Sequence, residues 1–353
     1  MITLMPEQTI KTALLSYGMS GEVFHGPLLE SHKGFEISKI WHRDSKKPVK
    51  HPYPTTGDYK DILADKSIDL VVVNTPNVTH FPFAEMALKA GKHVIVEKPF
   101  TVTVSEANQL IALAEKQKKI LTVFQSRRWD SDFLTVKKII EAKLLGQLVE
   151  CEIHYDRFRN YIEPNTWKEV KDEGTGILYN LGSHLLDQVI VLFGMPRYLD
   201  ARVGVQRPGG KVDDYFDIRL EYERLLVILK SSYLVREQGP RFVLHGTEGS
   251  FVKSGIDPQE QALKDKQRPG TKGWGIEPKQ WWGKLNTTLD GKHFEGPYET
   301  LPGNYLDFYN NVYEAITSGK PLAVKAAEAR NVIQLIEACY DSSQGKKAVK
   351  ITG

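Results

Sequence analysis

The sequence predicts an α/β domain with a doubly wound parallel sheet over residues 1–126, followed by an α+β domain over residues 127–353. Three observations carry this. Up to about residue 125, short apolar runs alternate with longer amphipathic stretches, the rhythm of strands and crossover helices. The run Leu70-Val71-Val72-Val73 is apolar without alternation, which marks a strand buried on both faces, with helices above and below it. Beyond that point the strands alternate in character, as half-buried antiparallel strands do. The length agrees, because 353 residues exceed one ordinary core and domains settle at roughly 100–200 residues.

The first domain is expected to place strands at Ile10–Ser16, Phe35–Trp41, Asp69–Thr75, His93–Val96 and Ile120–Gln125. Between them, Phe81–Ala90 reads as a helix closed by Gly91, and Ser105–Gln117 as a helix with Ser105 as its N-cap and Glu106 in its first turn. In the second domain a helix over Ser131–Leu145 leads to strands at Val149–Tyr155, Tyr215–Tyr222 and Leu225–Tyr233, all expected to be antiparallel. Residues 254–300 are rich in Gly, Pro, Lys and Trp and read as a long irregular excursion. Helices return at Tyr305–Ile316 and Ala326–Tyr340.

Composition excludes several classes. Hydrophobic residues at 41% and charged ones at 26% describe a chain able to bury a core, not a disordered one. The net charge of +3 is spread along the chain, so no nucleic-acid footprint stands out. Cys151 and Cys339 are the only cysteines and lack metal-ligand spacing, so neither a disulfide framework nor a metal site is expected. No apolar run reaches the ~18 residues of a membrane span, and Met1–Thr9 has no leader pattern, so a cytoplasmic location is expected.

Chemistry concentrates at strand ends. Ser16-Tyr17-Gly18-Met19-Ser20-Gly21 follows the first strand as a glycine fingerprint with serine in its first position. Gly18 allows close backbone approach to a pyrophosphate, and Gly21 lets a helix N-terminus pack against the strand. At the end of the second strand, where an acidic residue would hold ribose hydroxyls, stand Trp41, His42, Arg43 and Asp44, and either Arg43 meets the cofactor or Asp44 takes the acidic role. The guanidinium suits a 2′-phosphate, and Trp41 or Arg43 suits an adenine face, so NADP is expected, with NAD as the alternative. Asn74-Thr75-Pro76 ends the third strand and Glu97-Lys98-Pro99 the fourth. A lysine desolvated beside an oxidised nicotinamide loses its proton near neutral pH, although a lysine at a strand end is more often a solvated surface group. In Gly176–Gly194, ~100° per residue puts Leu178, Leu181, Leu185, Val189 and Leu192 on one face. Asn180, His184 and Asp187 share the other, either as a proton-transfer stripe or as a solvated helix face.

Tyr17-Gly18-x-x-Gly21-x-x-Phe24-His25, Glu97-Lys98-Pro99, Arg127-Arg128-Trp129 and Gly182-x-His184 occur in that order. The sequence thereby resembles the glucose–fructose oxidoreductase, inositol dehydrogenase and rhizopine-catabolism family over nearly its whole length. Val73-Asn74-Thr75-Pro76-Asn77, Asn165-Thr166-Trp167-Lys168-Glu169, Tyr179–His184 and Leu301-Pro302-Gly303-Asn304-Tyr305 are similar to the NADP-dependent scyllo-inositol dehydrogenases within it. The resemblance implies a Rossmann domain, and a second domain whose open, largely antiparallel sheet serves homodimer or homotetramer assembly. It implies Lys98 as the catalytic lysine, with His184 exchanging the hydroxyl proton of a polyol or sugar. Many relatives carry aspartate where this chain has Asn180, which cannot act as a carboxylate base. Arg128, Trp129, Tyr155, Asn165, Trp167, Asn180 and Tyr305 are candidates for the sugar pocket, since aromatic faces and amides suit a polyhydroxylated ring. Gly18, Met19, Ser20, Gly21, Trp41, His42, Arg43, Asn74, Thr75, Pro76, His80, Glu97, Lys98 and Gln125 are candidates to hold the cofactor. Two rival readings are a dinucleotide-sensing regulator without catalysis and an internal-redox enzyme acting on a glycoside or sugar.

Overall fold

The computed structural model describes residues 8–43, 51–164 and 166–352, and their contacts group into two compact units. The first unit runs to Ser126 and is joined by Gln259–Trp274 and Asn304–Arg330, so two segments from late in the chain belong with the nucleotide-type sheet. The second comprises Arg127–Pro258, Gly275–Gly303 and the stretch from Asn331 onward.

The first unit is built on β1 (Ile10–Leu14), β2 (Phe35–Trp41), β3 (Thr55–Thr56), β4 (Leu70–Val73), β5 (His93–Val96) and β6 (Leu121–Val123), in the order β3-β2-β1-β4-β5-β6. Every pairing is parallel. Leu70 to Val73 and Val94 to Val96 are fully buried, as their unbroken apolar runs require. The crossovers include α1 (Gly26–Ser31), α2 (Lys60–Ala64), α3 (His80–Lys89) and α4 (Val104–Gln117). The N-cap expected at Ser105 lies instead at Thr103. Its hydroxyl accepts the Glu106 N–H while the Glu106 carboxylate accepts the Thr103 N–H at 3.0 Å, a reciprocal box that Ser105 is too close to Glu106 to form. Because β1 lies between β2 and β4, the chain reverses its winding there, and ligands of such sheets bind outside the carboxyl ends of the strands at that point.

The second unit contains α5 (Ser131–Glu141), β7 (Leu148–His154), α6 (Ser183–Phe193), β8 (Tyr198–Gly204), β9 (Tyr215–Glu221), β10 (Leu226–Ser232), β11 (Phe242–Gly246) and β12 (Gly249–Lys253). A nine-stranded sheet runs β14-β13-β12-β11-β7-β10-β9-β8-β15, with β15 at Val349–Lys350. It is antiparallel except between β7 and β10, which pair in parallel, against the expectation that these strands would all be antiparallel.

The excursion at 254–300 also departs from expectation. It holds α7 (Gln259–Lys264), which joins the first unit, and the hairpin β13 (Gly283–Leu289) with β14 (Lys292–Tyr298), which forms one sheet edge. Within the second unit this region is fastened from inside. Lys253 Nζ meets Glu277 Oε2 at 2.6 Å with both side chains fully buried, and the Ser131 hydroxyl donates to Glu277 Oε1 at 2.6 Å. The Ser131 N–H donates to Asp257 at 2.7 Å, so two buried carboxylates face the positive end of α5. The helices that close the chain are α8 (Leu306–Ser318) and α9 (Ala326–Gly345).

Candidate active site

In the first unit the glycine turn stands at the winding reversal. Asn74, just past β4, donates its Nδ2–H to Ser16 O at 2.9 Å, which ties the ends of the two switch-point strands together. The Gly18 N–H donates to the Ser16 hydroxyl at 3.2 Å, so the serine that replaces the first glycine braces the turn. A Cβ on Gly21 would lie 2.8 Å from Ser16 O, whereas a Cβ on Gly18 would meet only Ser16 Oγ, at 3.6 Å. Packing therefore demands glycine at 21 and not at 18, where the turn faces outward beside the 55%-exposed Met19. After the turn, Gly21–His25 forms one π-helical turn, closed by the Gly26 N–H on Gly21 O.

At the second strand end, Trp41 packs edge-on against Tyr59 and Phe83 and donates its indole N–H to Gly57 O at 3.2 Å. Arg43 is exposed, and His42 carries a buried Nδ1 with no hydrogen-bond partner among the described residues, outside which Asp44 lies.

At the ends of β4 and β5, His80 is fully buried, and its ring nitrogens face Thr75 O at 2.9 Å and Pro99 O at 2.8 Å. A cofactor candidate from sequence, it links two strand ends from inside, and burial pushes its imidazole pKa down. Glu97 is likewise engaged within the protein, by the Ser20 hydroxyl, by His25 Nε2 at 3.0 Å and by the Lys98 N–H at 3.0 Å. Burial works to raise its pKa, but the His25 and Ser20 hydrogen bonds and the charge of Lys98 outweigh burial and hold it at about 2. Thr75 Oγ1 accepts from the Thr79 hydroxyl at 2.7 Å, and Pro76 is exposed.

Just past the ends of β4 and β6, Asn74 Oδ1 and Gln125 Oε1 are buried and meet no donor among the described residues, and Asn304 Oδ1 is a third such amide oxygen in this unit. Buried acceptors are rarely left so, and at a switch point they suit hydroxyl and carboxamide donors of a ligand. With the outward-facing Gly18, they fit a dinucleotide. Tyr305 belongs to this unit too, fully buried, with its ring 6.4 Å from that of Phe24.

In the second unit, Leu178–Gly182 forms a π-helical turn, with the Ser183 N–H on Leu178 O, and α6 follows. Asp213 accepts the Leu178 N–H at 2.9 Å and the Tyr340 hydroxyl at 2.9 Å, and burial raises its pKa despite these bonds. His184 and Asp187 are 6% and 2% exposed, so their face is not a solvated one. Asp187 accepts two hydrogen bonds from Arg128, from Nε at 2.9 Å and from Nη2 at 2.7 Å. Arg128, a sugar-pocket candidate, is thereby engaged with α6. Gln188 extends the same stripe, donating to Arg127 O at 3.1 Å and accepting from Arg241 at 3.3 Å. Tyr155 is buried beneath the guanidinium groups of Arg127, Arg157 and Arg241, at 5.1, 5.4 and 4.6 Å from its ring centre. Trp129 is half-buried, Asn180 half-buried on the π-helical turn, and Trp167 43% exposed on a short helix capped by Thr166. Asn165 lies outside the described residues. Sequence reasoning missed His25 as an internal ligand of Glu97, Gln188 as a partner of Arg241, and Asp213 as a helix anchor. Of these only His25 had a signal, its place in the glycine motif.

Among the described residues no group of three His, Cys, Asp or Glu side chains is arranged to hold a metal, and no helix is long and apolar enough to cross a membrane. Both cysteines are free and buried, and burial pushes the Cys151 thiol up to about 12.

Comparison with known proteins agrees with this architecture. Residues 10–125 match the oxidoreductase family's NAD-binding Rossmann fold, and residues 137–351 its C-terminal alpha/beta domain. Scyllo-inositol 2-dehydrogenase (NADP(+)) IolW of Bacillus subtilis is 39% identical over 361 residues, covering 99% of both chains. The oxidoreductase YdgJ of Escherichia coli, uncharacterized, is 40% identical over 95% of this chain and 96% of its own. The solved structure of the Bacillus subtilis oxidoreductase YvaA superposes with a TM-score of 0.94 at 38% identity, covering 99% of this chain and 100% of that one.

Proposed function

The chain belongs to the glucose–fructose oxidoreductase, inositol dehydrogenase and rhizopine-catabolism family of oxidoreductases, and on that premise we propose that it is an NADP-dependent dehydrogenase of cyclic polyols or sugars, with scyllo-inositol and its ketoinositol as the best-fitting pair. The observation that carries this reading is the strand-end set of the first unit, an open glycine turn and the unmatched oxygens of Asn74 and Gln125, which follow the strands on either side of the one that Lys98 follows. The full-length likeness to an inositol dehydrogenase supports the substrate class.

When bound, the nicotinamide supplies the acceptor, or in reverse the donor, of the hydride from the substrate carbon. Lys98 and His184 are the groups assigned to exchange the proton of the substrate hydroxyl. Asn180 orients that hydroxyl, because an amide offers hydrogen bonds but no base. Gly18 admits the pyrophosphate to the turn, Asn74 and Gln125 accept from cofactor donors, and Arg43 pairs with the 2′-phosphate.

Nicotinamide absorbance with NADP or NAD and a panel of inositols, aldoses and sugar acids tests the reading, with ketoinositols for the reverse reaction. Lys98→Ala and His184→Ala are each expected to lower kcat by ~10²–10⁴-fold with folding intact. Wild-type turnover in either variant, or none on any polyol or sugar in the parent protein, overturns it.

A further inference from the structure

One cluster of buried groups in the first unit ends on Glu97, the residue before Lys98. His25, in the π-helical turn, is fully buried and packs on Phe124 with 4.4 Å between ring centres. Its Nε2 lies 3.0 Å from Glu97 Oε1, and its Nδ1 lies 2.6 Å from the hydroxyl of Tyr309 on α8. The contacts are satisfied with Tyr309 donating its O–H to Nδ1 and His25 donating its Nε2–H to the Glu97 carboxylate. Tyr309 is itself fully buried, and burial together with the Glu97 charge raises its pKa well above the ordinary phenol range, so it acts as a donor. On its other sides Glu97 takes the Ser20 hydroxyl, from the phosphate-binding turn, and the Lys98 N–H. Three separate elements therefore end on one carboxylate, which directly precedes Lys98 in the chain.

We propose that Tyr309, His25 and Glu97 form a positioning triad that fixes a carboxylate as the counter-charge of the Lys98 ammonium and, through Ser20, ties that lysine to the phosphate-binding turn. The triad orders its groups as carboxylate, imidazole and hydroxyl, but its hydroxyl end is closed to solvent and to substrate, so its output is the placement and charge of Glu97. The charged and titratable groups that act on Glu97, or feel it, are His25, Lys98, Tyr309 and, from α3, His80. Of these Lys98 is the cation that the proposed chemistry uses, and the inference rests on that role. An anion held beside an ammonium favours its protonated form, whereas packing alone does not.

The proton affinity of Lys98 can be read without turnover. Trace acetylation of the full-length protein with acetic anhydride across pH, quantified on the Lys98 peptide by mass spectrometry, gives the midpoint of that lysine alone. Glu97→Gln keeps the shape and removes the charge, and is expected to lower the midpoint by about one pH unit. Tyr309→Phe keeps the ring and loses the hydroxyl, and is expected to lower it by roughly a third of a unit, which provides a reading if Glu97→Gln does not fold. An unmoved midpoint in a folded variant overturns the triad. A protein that oxidises no polyol yet shows the lowered midpoint keeps the triad and loses the proposed reaction. Polyol turnover with an unmoved midpoint does the reverse.

Discussion

Two helices in this chain begin with the same irregular turn, and their polar groups are matched in different ways. The π-helical turn Gly21–His25 leads into α1 in the first unit, and Leu178–Gly182 leads into α6 in the second. Around the second turn hydrogen bonds close inside the fold: Asp187 on Arg128, Gln188 on Arg127 O and Arg241, Asp213 on the Leu178 N–H. Around the first, the carboxylate of Glu97 is enclosed, but the oxygens of Asn74 and Gln125 are not matched and the Gly18 side of the turn is open. Enclosed, satisfied polar groups hold a scaffold in one arrangement. Unmatched buried acceptors at the carboxyl ends of the strands, beside the winding reversal, are where a ligand's donors would be accepted.

The largest effect expected from this contrast is in the second unit. Asp187→Ala leaves the Arg128 guanidinium, 8% exposed, without its bidentate partner, and removing one member of a buried pair costs ~3–5 kcal/mol. Urea denaturation measures it. A loss under about 1 kcal/mol would break the comparison, because the pair would then not be part of the scaffold.

Acid separates the two units by sign. Glu97 has a folded pKa of about 2 against an ordinary 4.5, so its contribution is fully present above about 4.5 and is lost as pH falls towards 2. At about 1.36 kcal/mol per unit, this gap sets an upper bound of about 3 kcal/mol. Asp213 is shifted the other way by burial, so its contribution declines as pH rises from the unfolded value through the folded one. Denaturation across pH should show Glu97→Gln flattening the acid loss and Asp213→Asn flattening the decline on the rising side. Parallel curves for the wild type and both variants would remove the distinction.

How much of this was legible varies with the physics of each element. β4 announces itself because a strand covered on both faces must be apolar throughout. β14 does not, because an edge strand with Lys292, His293, Glu295 and Pro297 carries no buried face to write a pattern. The parallel pairing of β7 with β10 was missed because alternation reveals which face is buried and says nothing of the neighbour's direction. In the candidate site, Gly18, Gly21, Asn74 and Lys98 follow strands at short offsets and could be placed from sequence. The burial of the α6 stripe could not, since Arg128 lies 59 residues from Asp187, nor could the Tyr309 bond to His25, across 284 residues.

The two glycines of the turn offer a sharper cut within the first unit. Gly21→Ala would drive a Cβ to 2.8 Å from a backbone oxygen, and an overpacked site of this kind loses ~1–3 kcal/mol. Gly18→Ala meets nothing closer than 3.6 Å, so stability should change by less than about 0.5 kcal/mol while dinucleotide affinity falls at least about tenfold. Thermal unfolding and calorimetric titration with NADP separate the two. A Gly18→Ala protein that binds as tightly as the parent would mean that the open side of the turn is not the phosphate side.

The smallest effect concerns Arg43, which tests whether the second strand end chooses the cofactor. Because Arg43 is exposed, Arg43→Ala should leave the unfolding temperature unchanged. A guanidinium pairing with a 2′-phosphate is worth about 1.4 kcal/mol or more, so the KM for NADP should rise about tenfold while that for NAD stays constant. Equal losses with both cofactors would instead place Arg43 on the adenine ring, a contact the two dinucleotides share, and the preference for NADP would have to come from His42, whose buried Nδ1 stands at the same strand end.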